Sequence, residues 1–363
     1  MAKPTTAKPI NLALQGGGSH GALTWGVLDR LLEDGRLRIG GVSGTSAGAM
    51  NAVVMADGFQ RGGPEGAREA LESFWRAVSD AAKYSPFRRS VWDRMTGRYS
   101  LDFSPGYLWF ESLSRILSPY ESNPLGLNPL RDIVVDQIDF ERVHACRDID
   151  VFVTATNVRT GQPRIFSKHD VTIDAVMASA CLPQMYPAVE INGEAYWDGG
   201  YAANPALYPL IDSLHAPDIV IVQINPIRRP DVPRSARDII NRVNEVSFNS
   251  ALIKELRAIR SLQRIIAEEG LELGPRSHVY LHLVHDSKDA TEFSASSKLN
   301  AEWDYLCYLF EKGRGWADRW LAESFDRIGV GSSLDLDVMF GEAVDAAECM
   351  VSDAAETQAR KRG

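Results

Sequence analysis

The segment Gly44-Thr45-Ser46-Ala47-Gly48 has the G-x-S-x-G pattern, and its serine follows the triple glycine Gly16-Gly17-Gly18 by 28 positions (46 − 18). This pattern is typical of a nucleophile elbow, a tight strand-to-helix turn that exposes a serine hydroxyl. A glycine-rich loop can present unobstructed backbone N–H groups to a developing oxyanion. Together the two segments predict a serine hydrolase whose oxyanion hole precedes its nucleophile.

The residues around the elbow predict alternating strands and helices. Asn11–Gln15 and Ile39–Ser43 are short apolar runs that fit buried strands. Leucine and valine recur at helical spacing over Leu23–Leu32, and Gly35 suits the position that ends a helix. Ala47–Ala56 is a helix of small residues leaving the elbow. This order favours a mainly parallel sheet with crossover helices, in an α/β fold.

The same pattern resumes in the second half of the chain. Asn192-Gly193 lies between two apolar runs and is a strong hairpin signal. Asp170 is a candidate N-cap for the helix that follows it. We predict further elements at Asp150–Thr156, Thr172–Ala180, Val189–Trp197, Ile219–Ile224, Ser235–Glu269, His278–Val284 and 290–327.

The domain organisation follows from shifts in composition. We expect a catalytic domain over 8–232 and a mainly helical C-terminal extension over 233–350 that packs on the same domain. An irregular helical insertion at about 60–135 interrupts the catalytic domain; the stretch from Phe74 to Tyr120 holds 11 of the 32 aromatic residues (8 Trp + 11 Tyr + 13 Phe). These rings either pack a second small core, or line an acyl channel or a lipid interface.

The composition limits the classes of function. A net charge of −9 over 363 residues argues against nucleic-acid binding, which requires a basic surface. The four cysteines have no C-x-x-C spacing, which argues against a disulfide framework or a zinc site. No secretory signal and no apolar run of about 18 residues is seen, so we expect a cytoplasmic protein, peripheral at most to membranes or lipid surfaces. We expect no cofactor and no metal, and the oligomeric state is left open.

A serine hydroxyl needs a base, because it is a weak nucleophile at neutral pH. The strongest candidate is Asp198, in Trp197-Asp198-Gly199-Gly200 directly after the predicted hairpin. Gly199 is a candidate auxiliary residue, because glycine lets the backbone pass close to the serine. A D-G-G sequence alone is often only a turn.

The order of these motifs resembles the patatin-like phospholipases. The resemblance rests on Gly16 to Gly21, on Gly44 to Gly48 and on Asp198-Gly199-Gly200, and it spans roughly residues 10–230. Further matches lie at Ala178–Pro187 and Gln223–Pro226.

The resemblance implies a three-layer α/β/α fold and an enzyme that cleaves lipid acyl esters without a metal. It implies a Ser-Asp dyad, with Ser46 as nucleophile and Asp198 as base. The oxyanion hole would be formed in the segment Gly16, Gly17, Gly18 and Ser19, assisted by the following helix N-terminus.

Two positions depart from the family pattern. Gln15 stands where the family usually has an acidic residue, and His20 stands where it usually has Arg or Lys. His20 either assists the oxyanion, as a cation or as a single neutral donor, or only caps the start of the helix.

Several alternatives remain open on the sequence. Gly16-x-Gly18-x-x-Gly21 matches a dinucleotide fingerprint, but the second predicted strand lacks the terminal carboxylate that such a site needs. A Ser-Asp-His α/β-hydrolase esterase would recruit one of four histidines: His215, His278, His282 or His285. An acyltransferase would share the first half-reaction. A non-catalytic lipid-binding module would keep the fold without the chemistry.

Overall fold

A computed structural model of the chain describes residues 7–213, 215–271, 274 and 279–341. Its centre is a sheet that has eight strands in the described ranges, in the order β5-β6-β3-β2-β1-β7-β8, with β4 paired to β3. The strands are β1 Lys8–Leu14, β2 Leu37–Thr45, β3 Asp150–Asn157, β4 Pro163–Ser167, β5 Val189–Ile191, β6 Glu194–Asp198, β7 Asp218–Val222 and β8 Tyr280–Val284. Strands β3, β2, β1, β7 and β8 run parallel, whereas β4, β5 and β6 pair antiparallel.

Helices cover both faces of the sheet. They are α1 Gly21–Asp34, α2 Ala47–Ala82, α3 Val91–Met95, α4 Pro105–Leu113, α5 Pro119–Ser122, α6 Pro129–Gln137, α7 Phe140–Ala145, α8 Ile173–Ser179, α9 Tyr208–Ser213, α10 Ala236–Glu269, α11 Ser287–Glu292 and α12 Trp303–Ser324. Helix α2 is kinked at Gly62 and Gly63, which have non-helical backbone angles.

Side chains alternate between the two faces, as the pleat of a strand requires. On β7, Val220 and Val222 join the larger core with α1, α2 and α12, while Ile219 and Ile221 join a smaller core with α9 and α10. The expected three-layer α/β/α fold with a mainly parallel sheet is therefore confirmed.

The C-terminal helix α12 belongs to the larger core. A Cβ on Gly26 of α1 would lie 2.0 Å from the Phe310 carbonyl oxygen, and one on Gly313 of α12 would lie 2.0 Å from the Leu23 carbonyl oxygen. The two helix backbones therefore touch, and Trp316 of α12 is buried with the sheet. Residues 342–350 of the predicted extension lie outside the described residues.

The aromatic-rich segment divides into two parts. Phe74 and Trp75, on the second half of α2, are buried in the main core. Trp92 and Trp109 are 65% and 64% exposed, so a second small core does not account for these two rings.

Local signals predicted some boundaries and missed others. The hairpin is confirmed, since Asn192 and Gly193 join β5 to β6 with φ of 52° and 82°. The N-cap prediction at Asp170 is wrong. Thr172 caps α8, its side chain accepting from the Ala175 N–H, because it directly precedes the first helical residue.

Candidate active site

Ser46 lies on a strained turn between β2 and α2. Its φ of 55° and ψ of −120° put a non-glycine residue in a region that side chains rarely occupy. Its N–H donates a 2.8 Å hydrogen bond to Oγ of Ser179, at the end of α8. A Cβ on Gly48 would lie 2.2 Å from the Leu14 carbonyl oxygen, so only glycine lets the turn pack this closely on β1.

The glycine loop lies directly against this turn. A Cβ on Gly16 would stand 2.6 Å from the Thr45 carbonyl oxygen and 2.7 Å from Ser46 Cβ. The Gly16 N–H already donates to Asn204 Oδ1 at 2.7 Å, so it is not free to bind an oxyanion. The N–H groups of Gly17 and Gly18 make no hydrogen bond with the part of the chain that the structure describes. Ser19 follows in a 3-10 helix, Gly18–His20, that leads into α1.

Hydrogen bonds of neutral amide side chains fix the position of this loop. Gln15 Oε1 accepts the N–H groups of Ile224 (2.9 Å) and Asn225 (2.7 Å), and Gln15 Nε2 donates to Asn249 Oδ1 (2.8 Å). Asn225 Nδ2 in turn donates to the Gly16 carbonyl oxygen at 2.8 Å. An amide at position 15 can accept and donate at once, which an ionised acid cannot.

Asp198 ends β6 and is 1% exposed. Its Oδ1 accepts the Gly200 N–H at 2.8 Å, while Oδ2 is buried without a hydrogen bond to any described residue. A Cβ on Gly199 would lie 2.1 Å from the Thr154 carbonyl oxygen and 3.0 Å from Thr45 Cγ2. The Asp198 loop and the Ser46 turn are therefore packed on the same strands.

Burial raises the pKa of the Asp198 carboxyl to about 6. The Gly200 N–H, the Ser46 hydroxyl and the charge of Lys298 all act in the opposite direction and lower it. Asp198 Oδ2 makes no hydrogen bond with any described residue, which leaves this oxygen available as an acceptor. At neutral pH the carboxyl is ionised and more basic than an ordinary aspartate.

His20 is buried beside the glycine loop. Its Nε2 is 2.8 Å from Ser297 Oγ, and its ring lies 5.2 Å from that of Phe293. Burial, followed by the charge of Lys298, holds its pKa well below the usual range, so the ring is neutral. His20 is the N-cap residue of α1, but its side chain makes no capping hydrogen bond.

The other candidate histidines make hydrogen bonds away from the Ser46 turn. His215 Nε2 is 2.7 Å from Asp150 Oδ2, and His282 Nε2 is 2.9 Å from Asp218 Oδ1. His285 Nδ1 is 2.9 Å from the Gln223 carbonyl oxygen. His278 lies outside the described residues.

Within the described ranges, no three His, Cys, Asp or Glu side chains come together closely enough to hold a metal ion. Of the helices that the structure describes, none is long and apolar enough to cross a bilayer.

Several residues at this site could not be assigned a role from the sequence. Ser179 and Asn225 lie in stretches that fit the resemblance, but their hydrogen bonds to Ser46 and Gly16 were not predicted. Asn204 and Lys298 carry no motif, and no local signal identifies them. Only the tertiary structure brings Asn204 and Lys298 to the site.

The strand ends bring a serine turn, a glycine loop and a buried carboxylate together at one edge of the sheet. This arrangement is typical of α/β proteins that catalyse acyl transfer. A sequence profile of the patatin-like phospholipase family matches residues 12–211, more than half of the chain. The chain belongs to the patatin-like phospholipase family. No curated protein matches it.

Solved structures provide distant similarities. The structure of VipD from Legionella pneumophila is 16% identical, with a TM-score of 0.34, over 85% of this chain and 67% of that one. The heterodimeric ExoU–SpcU complex from the type III secretion system of Pseudomonas aeruginosa gives 16% identity and a TM-score of 0.33, over 86% of this chain and 53% of that one.

Proposed function

We propose that the protein is a serine-dependent lipid acyl hydrolase that cleaves carboxylic esters of phospholipids or related lipids. The observation that carries this proposal is the convergence of three parts. Ser46 has a positive φ, Gly16 lies against Ser46 Cβ, and buried Asp198 sits on a loop packed against the same turn. Membership of the patatin-like phospholipase family supports a lipid ester as the substrate class.

In the first half-reaction, Asp198 accepts the proton of the Ser46 hydroxyl as Oγ bonds to the ester carbonyl carbon. The carbonyl oxygen becomes an oxyanion, which the N–H groups of Gly17, Gly18 and Ser19 would stabilise. When the tetrahedral intermediate collapses, the carbon–oxygen bond to the alcohol breaks. The alcohol takes the proton from Asp198, and the acyl group stays on Ser46.

In the second half-reaction, Asp198 takes a proton from water as the water oxygen attacks the acyl carbon. The bond to Ser46 Oγ breaks, the serine recovers its proton, and the fatty acid leaves. One carboxylate therefore serves both halves, and its raised pKa of about 6 supports this role, because a more basic carboxylate accepts a proton more readily.

The hydrogen bonds of the histidines support a dyad over a triad. His215, His282 and His285 are engaged by Asp150, Asp218 and Gln223. None of these hydrogen bonds involves Ser46 or Asp198, whereas the Ser46 hydroxyl acts directly on the pKa of Asp198.

The proposal is tested by hydrolysis of a p-nitrophenyl ester series by the wild type, Ser46→Ala and Ser43→Ala. Ser43 is the matched control, because its Oγ is buried on β2, the strand that leads into the Ser46 turn, without a hydrogen bond to any described residue. We expect Ser46→Ala to lose at least about 10⁴-fold in kcat, as removal of an activated nucleophile does, and Ser43→Ala to keep the wild-type rate. Turnover by Ser46→Ala, or an inactive wild type, would contradict the proposal.

A further inference from the structure

Lys298 of the C-terminal extension touches the glycine loop. It is a half-buried residue in the 3-10 helix Ser296–Leu299. Its ammonium donates to Asn225 Oδ1 at 2.7 Å. A Cβ on Gly18 would lie 2.5 Å from the Lys298 carbonyl oxygen, so the backbone of this segment covers the loop directly.

Through Asn225, Lys298 is connected to the residue that touches the nucleophile. The same Asn225 side chain that accepts from Lys298 Nζ donates to the Gly16 carbonyl oxygen at 2.8 Å. Gly16 lies against Ser46 Cβ. Loss of the ammonium would leave Asn225 Oδ1 without this donor and loosen the amide that fixes the loop.

On its other side, Lys298 approaches the Asp198 loop. Its ammonium lies 5.8 Å from the ring centroid of Phe248. A Cβ on Gly200 would lie 2.3 Å from that ring. The Gly200 N–H donates a hydrogen bond to Asp198 Oδ1. Lys298 therefore contacts the glycine loop through Asn225 and approaches the Asp198 loop through Phe248.

The charge of Lys298 acts on the groups around it. It lowers the pKa of Asp198 and that of His20. Because His20 is neutral, it does not supply the positive charge that Arg or Lys would supply at its position in the glycine loop.

We propose that Lys298 is a positioning residue whose ammonium holds the glycine loop through Asn225 and supplies a positive charge beside the Asp198 loop. The proposal rests on the proposed hydrolase function. The cation comes from the C-terminal extension, outside the matched range 12–211, and not from the glycine loop.

The proposal predicts an activity window in pH. Burial lowers the pKa of Lys298 to about 8, and the charged groups facing it are Glu245, Arg229 and Asp198. The active form needs Asp198 ionised, above about 6, and Lys298 protonated, below about 8. Activity therefore falls as the pH drops through the first value and as it rises through the second.

The test is the pH profile of kcat/KM on a soluble p-nitrophenyl ester for the wild type, Lys298→Arg and Lys298→Met. An arginine stays charged throughout, so Lys298→Arg is expected to lose the alkaline limb and keep the acid limb. Lys298→Met is expected to lose about 10-fold to 100-fold in kcat/KM, the size of one hydrogen bond to a charged group. Its acid limb moves to higher pH, because the charge that lowers the pKa of Asp198 is gone.

Lys288→Met is the matched control, since Lys288 is exposed in the same extension. It should keep the wild-type profile, and thermal unfolding checks that every variant is folded. Two results would overturn the role of Lys298 and leave the hydrolase proposal intact. One is a Lys298→Met variant with the wild-type rate and the wild-type acid limb. The other is a Lys298→Arg variant that retains an alkaline limb near 8. An inactive wild type would overturn both.

Discussion

Two regions of the molecule differ in which side chains they bury. At the catalytic edge of the sheet, the polar residues Gln15, Asn225 and Asp198 are almost completely buried. Gln15 and Asn225 are hydrogen-bonded to each other although they lie 210 positions apart, and Asp198 accepts from the N–H of Gly200. In the segment 84–127, large apolar side chains face solvent. They include Tyr84, Val91, Trp92, Met95, Phe103, Trp109, Ile116, Tyr120, Leu125 and Leu127.

The difference follows from how each region is held. The catalytic edge is fixed by parallel strands and by the backbone contacts of Gly16 and Gly48, so its geometry allows little movement. Helix α4 has no buried residue, and α3 has only Asp93. Many exposed large apolar side chains in one segment are typical of an interaction site. We expect the first region to control chemistry on any ester and the second to control access to lipids in aggregates.

Asp198→Asn should have the largest effect, because it removes the base while keeping the shape. We expect kcat/KM to fall by about 10⁴-fold, as for other isosteric losses of a catalytic carboxylate. The fall should be equal on a soluble ester and on lipid vesicles. A loss of activity confined to vesicles would show that Asp198 acts in access to lipids and not in the chemical step.

Gly16→Ala should come next. The added Cβ would meet Thr45 O and Ser46 Cβ at 2.6 and 2.7 Å, so the loop must move away from the serine. Displacing an oxyanion-hole donor costs about 100-fold to 1,000-fold in kcat. Gly62→Ala is the control, because a Cβ there has no atom within 4 Å. Equal activity of the two variants would show that the loop does not shape the site.

The acid limb of the wild-type profile should reflect Asp198. Its pKa of about 6, raised by burial, means that activity is lost as the pH falls through that value. Since an ordinary histidine titrates nearby, at about 6.5, the assignment needs His215→Asn, His278→Asn, His282→Asn and His285→Asn. We expect each to leave the position of the limb unchanged. A limb abolished by one of them would replace the dyad with a triad.

Trp92→Ala combined with Trp109→Ala should have the smallest and most selective effect. We expect roughly a 3-fold to 10-fold loss of activity on lipid vesicles, the range for partial loss of buried aromatic surface at an interface. Activity on a short soluble ester should stay at the wild-type level. An equal loss on both substrates would remove the interfacial role of this segment.

The sequence predicted the parts of the site whose backbone requirements are local. The Ser46 turn and the Asn192-Gly193 hairpin each need a positive φ, and that need is visible in the neighbouring residues. Lys298 and Asn204 could not be predicted, because each reaches the site through the fold and lies in no motif. The exposure of Trp92 could not be predicted either, because composition shows that aromatic residues are present and not what they pack against.

The proposed mechanism requires Ser46 to carry the acyl group. This is tested by reaction of the folded wild type with a fluorophosphonate, followed by proteolysis and mass spectrometry of the peptides. We predict one adduct, on the peptide that contains Ser46, with labelling abolished in Ser46→Ala and retained in Ser43→Ala. An adduct on another residue, or none in the presence of lipid vesicles, would contradict the account.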